Sequence, residues 1–214
     1  MTGSGAGASE TVPLGEIPTT TLADILGPEH VMDAGLRSLW SPASRVSGQA
    51  FTVRCPAGDN LMFHAAIYRA PPGSIIVADA GDPSRAVAGG NVCAVAQRRG
   101  VAAFVVDGTI RDLGEVRELG FPVFARGVVA VAGSKSAVLP LGGRIRCGGV
   151  DVEAGDVVVA DEDGVAIVPA ARAAQVLLEA TARLAKEAGE TLDAWEAAHR
   201  ARIEELLDAH GPVG

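Results

Sequence analysis

The chain has 214 residues, of which 48% are hydrophobic and 4% aromatic, with 27 glycines and a net charge of −8. This length suits one domain with a full core, built from Ala, Val, Ile and Leu between tight backbone turns. The acidic charge and the absence of a Lys and Arg cluster argue against a nucleic-acid partner, and no apolar stretch reaches membrane-spanning length.

The cysteines and the first residues indicate the cellular compartment. Cys55, Cys93 and Cys147 are far apart and show no metal-binding spacing, which predicts small core residues in a reducing environment. Residues 1–15 lack the positive start and the apolar run of a signal peptide. We therefore expect a cytoplasmic protein with a flexible N-terminal tail over residues 1–15.

Helices and strands are predicted to alternate through the first two thirds of the chain. The first helix lies in "TTTLADIL", with Thr19, Thr20 or Thr21 as its N-cap and Asp24 in its first turn. The alternation that follows predicts an α/β fold with a parallel core. Its elements are the strand "RVSGQAFTVRC", the helix "NLMFHAAIYRA", the strand "SIIVADA", the helix in "GGNVCAVAQRRG", the strand "VAAFVV", the helix "RDLGEVRELG" and the strand "FPVFARG".

The sequence changes character after Gly127, where short Val-rich runs and glycine turns predict a β-rich second half. From Pro169 to about Ala209 the chain is rich in Ala, Leu, Glu and Arg, which predicts a long C-terminal helix with a break at Gly189. Its apolar stripe must pack either on its own sheet or on a neighbouring subunit. The stripe consists of Val176, Leu177, Ala180, Leu184, Ala188 and Leu192.

Ligands of α/β sheets collect at the carboxyl ends of the parallel strands. At one such end, Gly89 and Gly90 allow the backbone to bend so that the amides of Asn91 and Val92 point together at an anion. A plain loop is the alternative interpretation of such a glycine pair.

A second unusual loop, "DGTIRD", follows the strand "VAAFVV". If Asp107 and Gly108 form a turn there, Arg111 and Asp112 project beyond the strand end. A carboxylate in that place binds a hard divalent cation, and a guanidinium grips a carboxylate or a keto oxygen. The alternatives are structural: Arg111 and Asp112 cap the helix that follows, with Asp112 near its start for dipole reasons, and Asp107 stabilises an Asp-Gly turn.

These residues resemble a known family. "GGNVCAVAQRRGVAAFVVDGTIRDLGEVRELGFPVFARG" is similar to the RraA-like proteins, which join class II 4-hydroxy-4-methyl-2-oxoglutarate aldolases to the regulator of ribonuclease E activity. The likeness extends from about Thr19 to Glu187. It implies a swivelling β/β/α domain over residues 16–169, a helical extension over 170–214, and a homotrimer or hexamer with active sites between subunits.

The resemblance also implies an activity, namely a lyase dependent on Mg²⁺ or Mn²⁺ that acts on small 2-oxo acids. Such enzymes release pyruvate by retro-aldol cleavage of 4-hydroxy-2-oxo acids, and many decarboxylate oxaloacetate. By position, Asp112 matches the metal ligand and Arg111 the substrate-binding arginine, while the substrate carboxylate is held at Gly89, Gly90, Asn91 and Val92. This metal-assisted chemistry requires no lysine Schiff base, which fits the presence of only two lysines, Lys135 and Lys186.

One position departs from the family pattern. Aldolases of the family usually carry an acidic residue where this chain has Gly90. Because aldol cleavage needs a base and decarboxylation does not, this loss is expected to impair the aldolase step more. Asp82 or Asp59 are possible replacements. A further acidic group, matched by Glu187, comes from the adjacent subunit in the family, unless Glu187 forms only a solvent-facing helix pair.

Two other functions can be compared with the lyase. The first is a non-catalytic regulator that uses the same fold to bind a ribonuclease or another protein. The second, a methyltransferase, has no support, because no strand is followed by a suitable loop with an acidic ribose partner. His64, flanked by apolar residues on a predicted helix, is interpreted as a structural histidine rather than a ligand.

Overall fold

An eight-stranded sheet lies at the centre of the molecule, as seen in a computed structural model that describes residues 13–211. Its strands, in spatial order, are β1 (Arg37–Ser38), β6 (Val123–Val128), β5 (Ala103–Ile110), β3 (Ile75–Asp79), β2 (Val46–Arg54), β9 (Val157–Asp161) and β10 (Gly164–Val168), with β4 (Ala86–Ala88) beside β5. The pairs β2–β3, β3–β5 and β5–β6 are parallel. The predicted parallel core is therefore confirmed.

Strand β5 is longer than the sequence predicted. Asp107 and Gly108 belong to the strand, so the expected turn at these residues is wrong. A Cβ on Gly108 would lie 2.6 Å from the Cβ of Ala80, and glycine is needed for this close approach. Asp107 is structural as expected, but by other contacts: it accepts hydrogen bonds from Arg126 Nε at 2.6 Å and from Gly148 N at 2.7 Å.

Different layers cover the two faces of the sheet. On one face lie α2 (Leu61–Ala66), α3 (Gly90–Arg98) and α4 (Leu113–Leu119), with Phe63, Phe104 and Phe121 packed edge to face at centroid distances of 4.8 and 4.7 Å. On the other face lies a hairpin of β7 (Ile145–Cys147) and β8 (Val150–Val152). Together with β9 and β10, this hairpin confirms the β-rich second half.

The first helix, α1 (Thr19–Leu26), begins differently from the prediction. None of the threonines caps it; Thr19 is the first helical residue and donates its backbone N–H and its hydroxyl to the carboxylate of Asp161 on β9. Asp24 lies beyond the first turn and pairs with Arg183. The predicted tail of residues 1–15 lies outside the described residues except at its end, where Leu14–Glu16 form a 3₁₀ turn.

Two helices, separated at Gly189 as predicted, complete the chain. In α5 (Ala173–Ala188), Val176 and Ala180 are buried against α1 and β10. The last helix, α6 (Leu192–His210), buries no residue in the single chain. Among the described residues, none of the helices combines the length and the apolar composition needed to cross a membrane.

All three cysteines are buried and unpaired, as predicted. Burial raises the pKa of the Cys55 and Cys93 thiols to about 12, so both are protonated and weakly nucleophilic at neutral pH. Cys93 lies on the buried side of α3, one turn after Gly90. It contributes packing behind the strand-end loops rather than a reactive group.

Candidate active site

The two loops singled out in the sequence lie next to each other at one edge of the sheet. Strands β4 and β5 are parallel, with Ala88 opposite Ile110, and the N–H of Arg111 donates to the carbonyl of Ala88 at 2.9 Å. Gly89 and Asp112 therefore follow directly from neighbouring strand ends. The sheet itself brings the glycine pair and the Arg-Asp pair together.

Asp112 adopts a backbone conformation that is rare for any residue with a side chain. Its φ of 58° places it in the left-handed region, and it is the one non-glycine residue with positive φ among residues 13–211. This conformation costs roughly 1 kcal/mol and is concentrated at functional sites. The side chain does not cap α4; its Oδ2 instead accepts a hydrogen bond from Gly90 N at 3.2 Å. Asp112 therefore occupies the N-cap position of α4, as the helix-capping alternative expected, but its side chain makes no capping hydrogen bond there.

Arg111 lies beside this carboxylate. Its Nε is 3.5 Å from Asp112 Oδ2, and the two side chains are 45% and 37% exposed. A pair so exposed contributes little to stability, about 1 kcal/mol or less. Both groups therefore remain free to exchange this contact for a ligand.

Gly89 is required because of space and not because of backbone conformation. Its φ of −158° is open to any residue, but a Cβ here would lie 2.3 Å from Asp112 Oδ2 and 3.0 Å from Arg111 Cγ. The glycine permits the close approach of both side chains to the first turn of α3. There, Asn91 and Val92 carry N–H groups for which the helix supplies no acceptors.

A pocket of about 80 Å³ opens at this point. It brings the predicted glycine, amide, arginine and aspartate groups into one small space, suited to a compact polar ligand. The lining residues are Asn60, His64, Ala86, Ala88, Gly89, Asn91, Val92, Arg111, Asp112, Ala132 and Lys135.

Asn60 was not foreseen as a pocket residue. Its side chain is 3% exposed, and its Nδ2 donates to the carbonyl of Ala86 at 3.3 Å. Its Oδ1 is buried and has no hydrogen-bond donor among the residues that the structure describes. Since buried acceptors are almost always satisfied, this atom fits a ligand or water that donates a hydrogen bond.

His64 and Lys135 are two further polar residues of the pocket that the sequence did not identify. His64 follows Asn60 by four residues on α2, a spacing that places both on one helix face and could have identified them together. Burial lowers the pKa of the His64 imidazole, and the charges of Lys135 and Arg111 lower it further. The histidine is therefore neutral at neutral pH, beside two cationic side chains.

Asp59 holds the loop that carries Lys135. Burial opposes the ionisation of this carboxyl, but hydrogen bonds from Leu61 N, Ser136 N and the hydroxyls of Ser134 and Ser136 outweigh it and keep its pKa well below the usual range. These bonds use the oxygens of the carboxylate. Asp59 is thus a loop anchor, and its carboxylate is engaged away from position 90.

Asp82, the other possible replacement, is also engaged locally. Its carboxylate accepts hydrogen bonds from the N–H and the hydroxyl of Ser84, both at 2.7 Å. These bonds lower the pKa of Asp82 and form an exposed turn. Asp82 does not line the pocket of Arg111 and Asp112.

Glu187 lies elsewhere in the single chain. It forms an ion pair within α5, with its Oε1 2.8 Å from Arg183 Nε, which is the alternative role that the sequence allowed. It lines a separate cleft at the α5–α6 corner, together with Leu192 and Trp195. Within one chain the structure does not bring Glu187 into the pocket.

The oxygen donors of the pocket suit a metal that requires few protein ligands. Within residues 13–211 there is no group of three or more His, Cys, Asp or Glu side chains that could hold a metal ion. A zinc site built from this chain alone therefore does not fit. Mg²⁺ keeps several waters and binds through one or two carboxylates plus substrate oxygens, which the partly exposed Asp112 carboxylate can accommodate.

Comparison with known proteins identifies the family. A Halalkalibacterium halodurans protein, whose name gives 4-hydroxy-4-methyl-2-oxoglutarate aldolase as a provisional activity, is 40% identical over 172 residues, which cover 80% of this chain and 81% of that protein. Two examples show that solved structures share the fold. The RNA-processing inhibitor RraA from Thermus thermophilus has a TM-score of 0.65 and 28% identity, covering 72% of this chain and 93% of its own.

The second solved structure is from Streptomyces coelicolor and is described as an unusual member of the RNase ES inhibitor RraA family. It has a TM-score of 0.70 and 27% identity, and the match covers 88% of this chain and 95% of that one. The model of the RraA-like family, which is described as Aldolase/RraA, matches residues 19–167. The chain therefore belongs to the RraA-like family.

Proposed function

We propose that this protein is a divalent-metal-dependent lyase acting on small 2-oxo acids, by retro-aldol cleavage of 4-hydroxy-2-oxo acids, by oxaloacetate decarboxylation, or by both. The observation that carries the proposal is Asp112, held in a strained conformation with its carboxylate at the N-terminus of α3 beside Arg111. The aldolase name of the Halalkalibacterium halodurans relative supports this reaction class.

The pocket groups divide the chemistry among them. The N–H groups of Asn91 and Val92 bind the carboxylate of the 2-oxo acid, and Asp112 holds Mg²⁺ or Mn²⁺. When bound, the cation would offset the negative charge that develops on the 2-oxo oxygen as a carbon–carbon bond breaks. The Arg111 guanidinium donates hydrogen bonds to the same oxygen and stabilises the enolate.

A regulator without catalytic activity is the competing proposal, and the names of the two structural neighbours favour it. Binding through an outer surface, however, gives no reason for the strained backbone of Asp112. It also gives no reason for the unsatisfied Oδ1 of Asn60 in the pocket. These two features favour a ligand site, and so the lyase.

The deciding experiment is an assay of pyruvate release from oxaloacetate and from 4-hydroxy-4-methyl-2-oxoglutarate, each with Mg²⁺ and with EDTA. We expect turnover of at least one substrate with Mg²⁺ and none with EDTA. Turnover that survives EDTA, with a borohydride-trapped pyruvate adduct on Lys135, would instead establish a Schiff-base mechanism. Inert chemistry together with one stoichiometric protein partner would establish the regulator.

Gly89→Ala is expected to reduce metal-dependent turnover about tenfold or more, because the new methyl group displaces Asp112 and Arg111 and small displacements at a reacting centre are costly. The free energy of unfolding should change by about 1 kcal/mol or less, since both side chains are partly exposed and able to move. Gly143→Ala is the matched control, since a Cβ there has no atom within 4 Å. Full activity of Gly89→Ala would contradict the close-approach argument.

We further propose that the active form is a homotrimer or a hexamer. Leu192 is 76% exposed and Trp195 49% exposed on α6, a helix with no buried residue in the single chain. Helices gain most of their stability from packing, so this face requires a partner surface. An assembly would also allow Glu187 to serve a neighbouring pocket. Light scattering after gel filtration should give the mass of three or six chains, and the mass of one chain would contradict the proposal.

A further inference from the structure

We infer that Glu115 is the second carboxylate of the site and accepts the hydroxyl proton released in retro-aldol cleavage. This inference rests on the proposed lyase function. The resemblance to the family places an acidic residue where this chain has Gly90. Glu115, on α4, is assigned the role of that residue.

The geometry places Glu115 over Gly90. Glu115 is the third residue of α4, one turn after Asp112, and its side chain reaches across to the first turn of α3. A Cβ built on Gly90 would lie 2.0 Å from Glu115 Oε2 and 3.1 Å from Glu115 Cδ. The carboxylate therefore occupies the space that a side chain at position 90 would fill.

Both carboxylates converge on the same residue. Asp112 Oδ2 accepts the N–H of Gly90, while Glu115 lies over its Cα. The first helical turn of α4 thus supplies two acidic groups to the N-terminus of α3. A glycine at position 90 is what leaves room for the second.

Glu115 also differs from Asp59 and Asp82 in its hydrogen bonding. Asp59 and Asp82 accept local hydrogen bonds, whereas Glu115 has no hydrogen bond or ion pair with the residues of the described chain. A glutamate in the first turn of a helix also interacts favourably with the helix dipole. That structural role would be met equally well by a side chain directed into solvent, so it does not explain the position over Gly90.

An independent observation indicates that a hydrogen-bond donor belongs in the adjacent pocket. Asn60 lines the pocket, and its buried Oδ1 lacks a donor within residues 13–211. A substrate hydroxyl donates one hydrogen bond and can satisfy it. The pocket thus supplies an acceptor that can orient the hydroxyl, and the Glu115 carboxylate lies over Gly90, next to the pocket residue Gly89.

The proton balance determines which reaction depends on Glu115. In retro-aldol cleavage the O–H bond of the 4-hydroxyl breaks and its proton passes to the Glu115 carboxylate. The C4–O bond becomes a carbonyl, the C3–C4 bond breaks, and its electron pair forms the enolate of pyruvate, which is then protonated at C3. Decarboxylation of oxaloacetate releases CO₂ and has no hydroxyl proton to remove.

The test compares Glu115→Gln with Glu118→Gln, an exposed glutamate on the same helix. We expect Glu115→Gln to lower kcat for 4-hydroxy-4-methyl-2-oxoglutarate cleavage about tenfold or more, with oxaloacetate decarboxylation within about threefold of wild type. Calorimetric titration with Mg²⁺ and pyruvate should give affinities within about threefold of wild type, since neither binding event uses this proton transfer. Glu118→Gln should match wild type throughout.

The double variant Gly90→Asp/Glu115→Ala tests whether both positions serve the same place. It should recover cleavage relative to Glu115→Ala, because the aspartate enters the space that the glutamate has vacated. A fall in cleavage smaller than tenfold in Glu115→Gln, an equal fall in both reactions, or no recovery in the double variant would overturn the inference while wild-type turnover stands. An inert wild-type chain that binds no Mg²⁺ would overturn the proposed lyase itself.

Discussion

Asp112→Asn is expected to abolish metal-dependent pyruvate release, with a loss of about 10³-fold or more, because the amide cannot supply the charge that holds the cation. Asparagine is the right replacement, since it has nearly the same shape and tolerates the left-handed backbone at φ 58°. The free energy of unfolding should therefore change by about 1 kcal/mol or less. Initial rates with oxaloacetate and Mg²⁺ measure the loss directly.

The control for this variant is Asp163→Asn. Asp163 lies in the β9–β10 turn, and the register of β2 with β9 pairs Val46 with Ala160, so this turn is at the opposite end of the sheet from Asp112. Asp163→Asn should retain full turnover. If Asp112→Asn also retained it, the cation would have to be held elsewhere and the proposed mechanism would be wrong.

Arg111→Ala is expected to lower kcat for oxaloacetate decarboxylation by about 10²- to 10³-fold, the usual loss when one donor to a developing oxyanion is removed. Arg111→Lys should recover only part of this activity, because an ammonium keeps the charge but lacks the planar fork of the guanidinium. The affinity for Mg²⁺, measured by calorimetry, should change little in either variant. This separates the role of Arg111 from that of Asp112.

Arg117→Ala provides the comparison for Arg111. Arg117 is an exposed arginine on α4, close in sequence and outside the pocket lining. Its removal should leave kcat within about twofold of wild type, as for most surface substitutions. Equal losses in both variants would mean that Arg111 acts through the general field of the surface, and the oxyanion role would be refuted.

The fold was largely predictable because its elements have strong local patterns. The buried run Ile75–Asp79 and the alternating run Val46–Arg54 both become strands, and the alternation of strands with helices gives the parallel core. The break at Gly189 was equally predictable, since this glycine interrupts an Ala- and Leu-rich helical pattern. These features depend on residues close together in the chain.

The errors have long-range causes. The Asp-Gly pair at Asp107 and Gly108 is typical of a turn, yet it continues β5 because Ala80 and Arg126 contact it from distant segments. The N-cap predicted among the threonines fails for a similar reason, since Asp161 binds Thr19 from another strand. Local propensity was outweighed in both places by tertiary contacts.

The site was predictable in part. Gly89, Asn91, Val92, Arg111 and Asp112 do line one pocket, as the strand-end argument implied. Lys135 could not be placed from sequence, because it enters the wall through a loop far along the chain. That loop is fixed by two contacts. The N–H of Asn60 donates to the carbonyl of Ser134 at 2.8 Å, and the Asp59 carboxylate accepts a hydrogen bond from the N–H of Ser136. Glu115 was likewise hidden, since its relation to Gly90 depends on the packing of two helices.

The most direct test of the account is a crystal structure of the protein with Mn²⁺ and pyruvate, examined by anomalous scattering. We predict an anomalous peak at coordination distance, about 2.0–2.3 Å, from an Asp112 carboxylate oxygen, with pyruvate contacting Arg111 and the first turn of α3. A pocket without a peak, with Asp112 still bonded to Gly90 N, would contradict it.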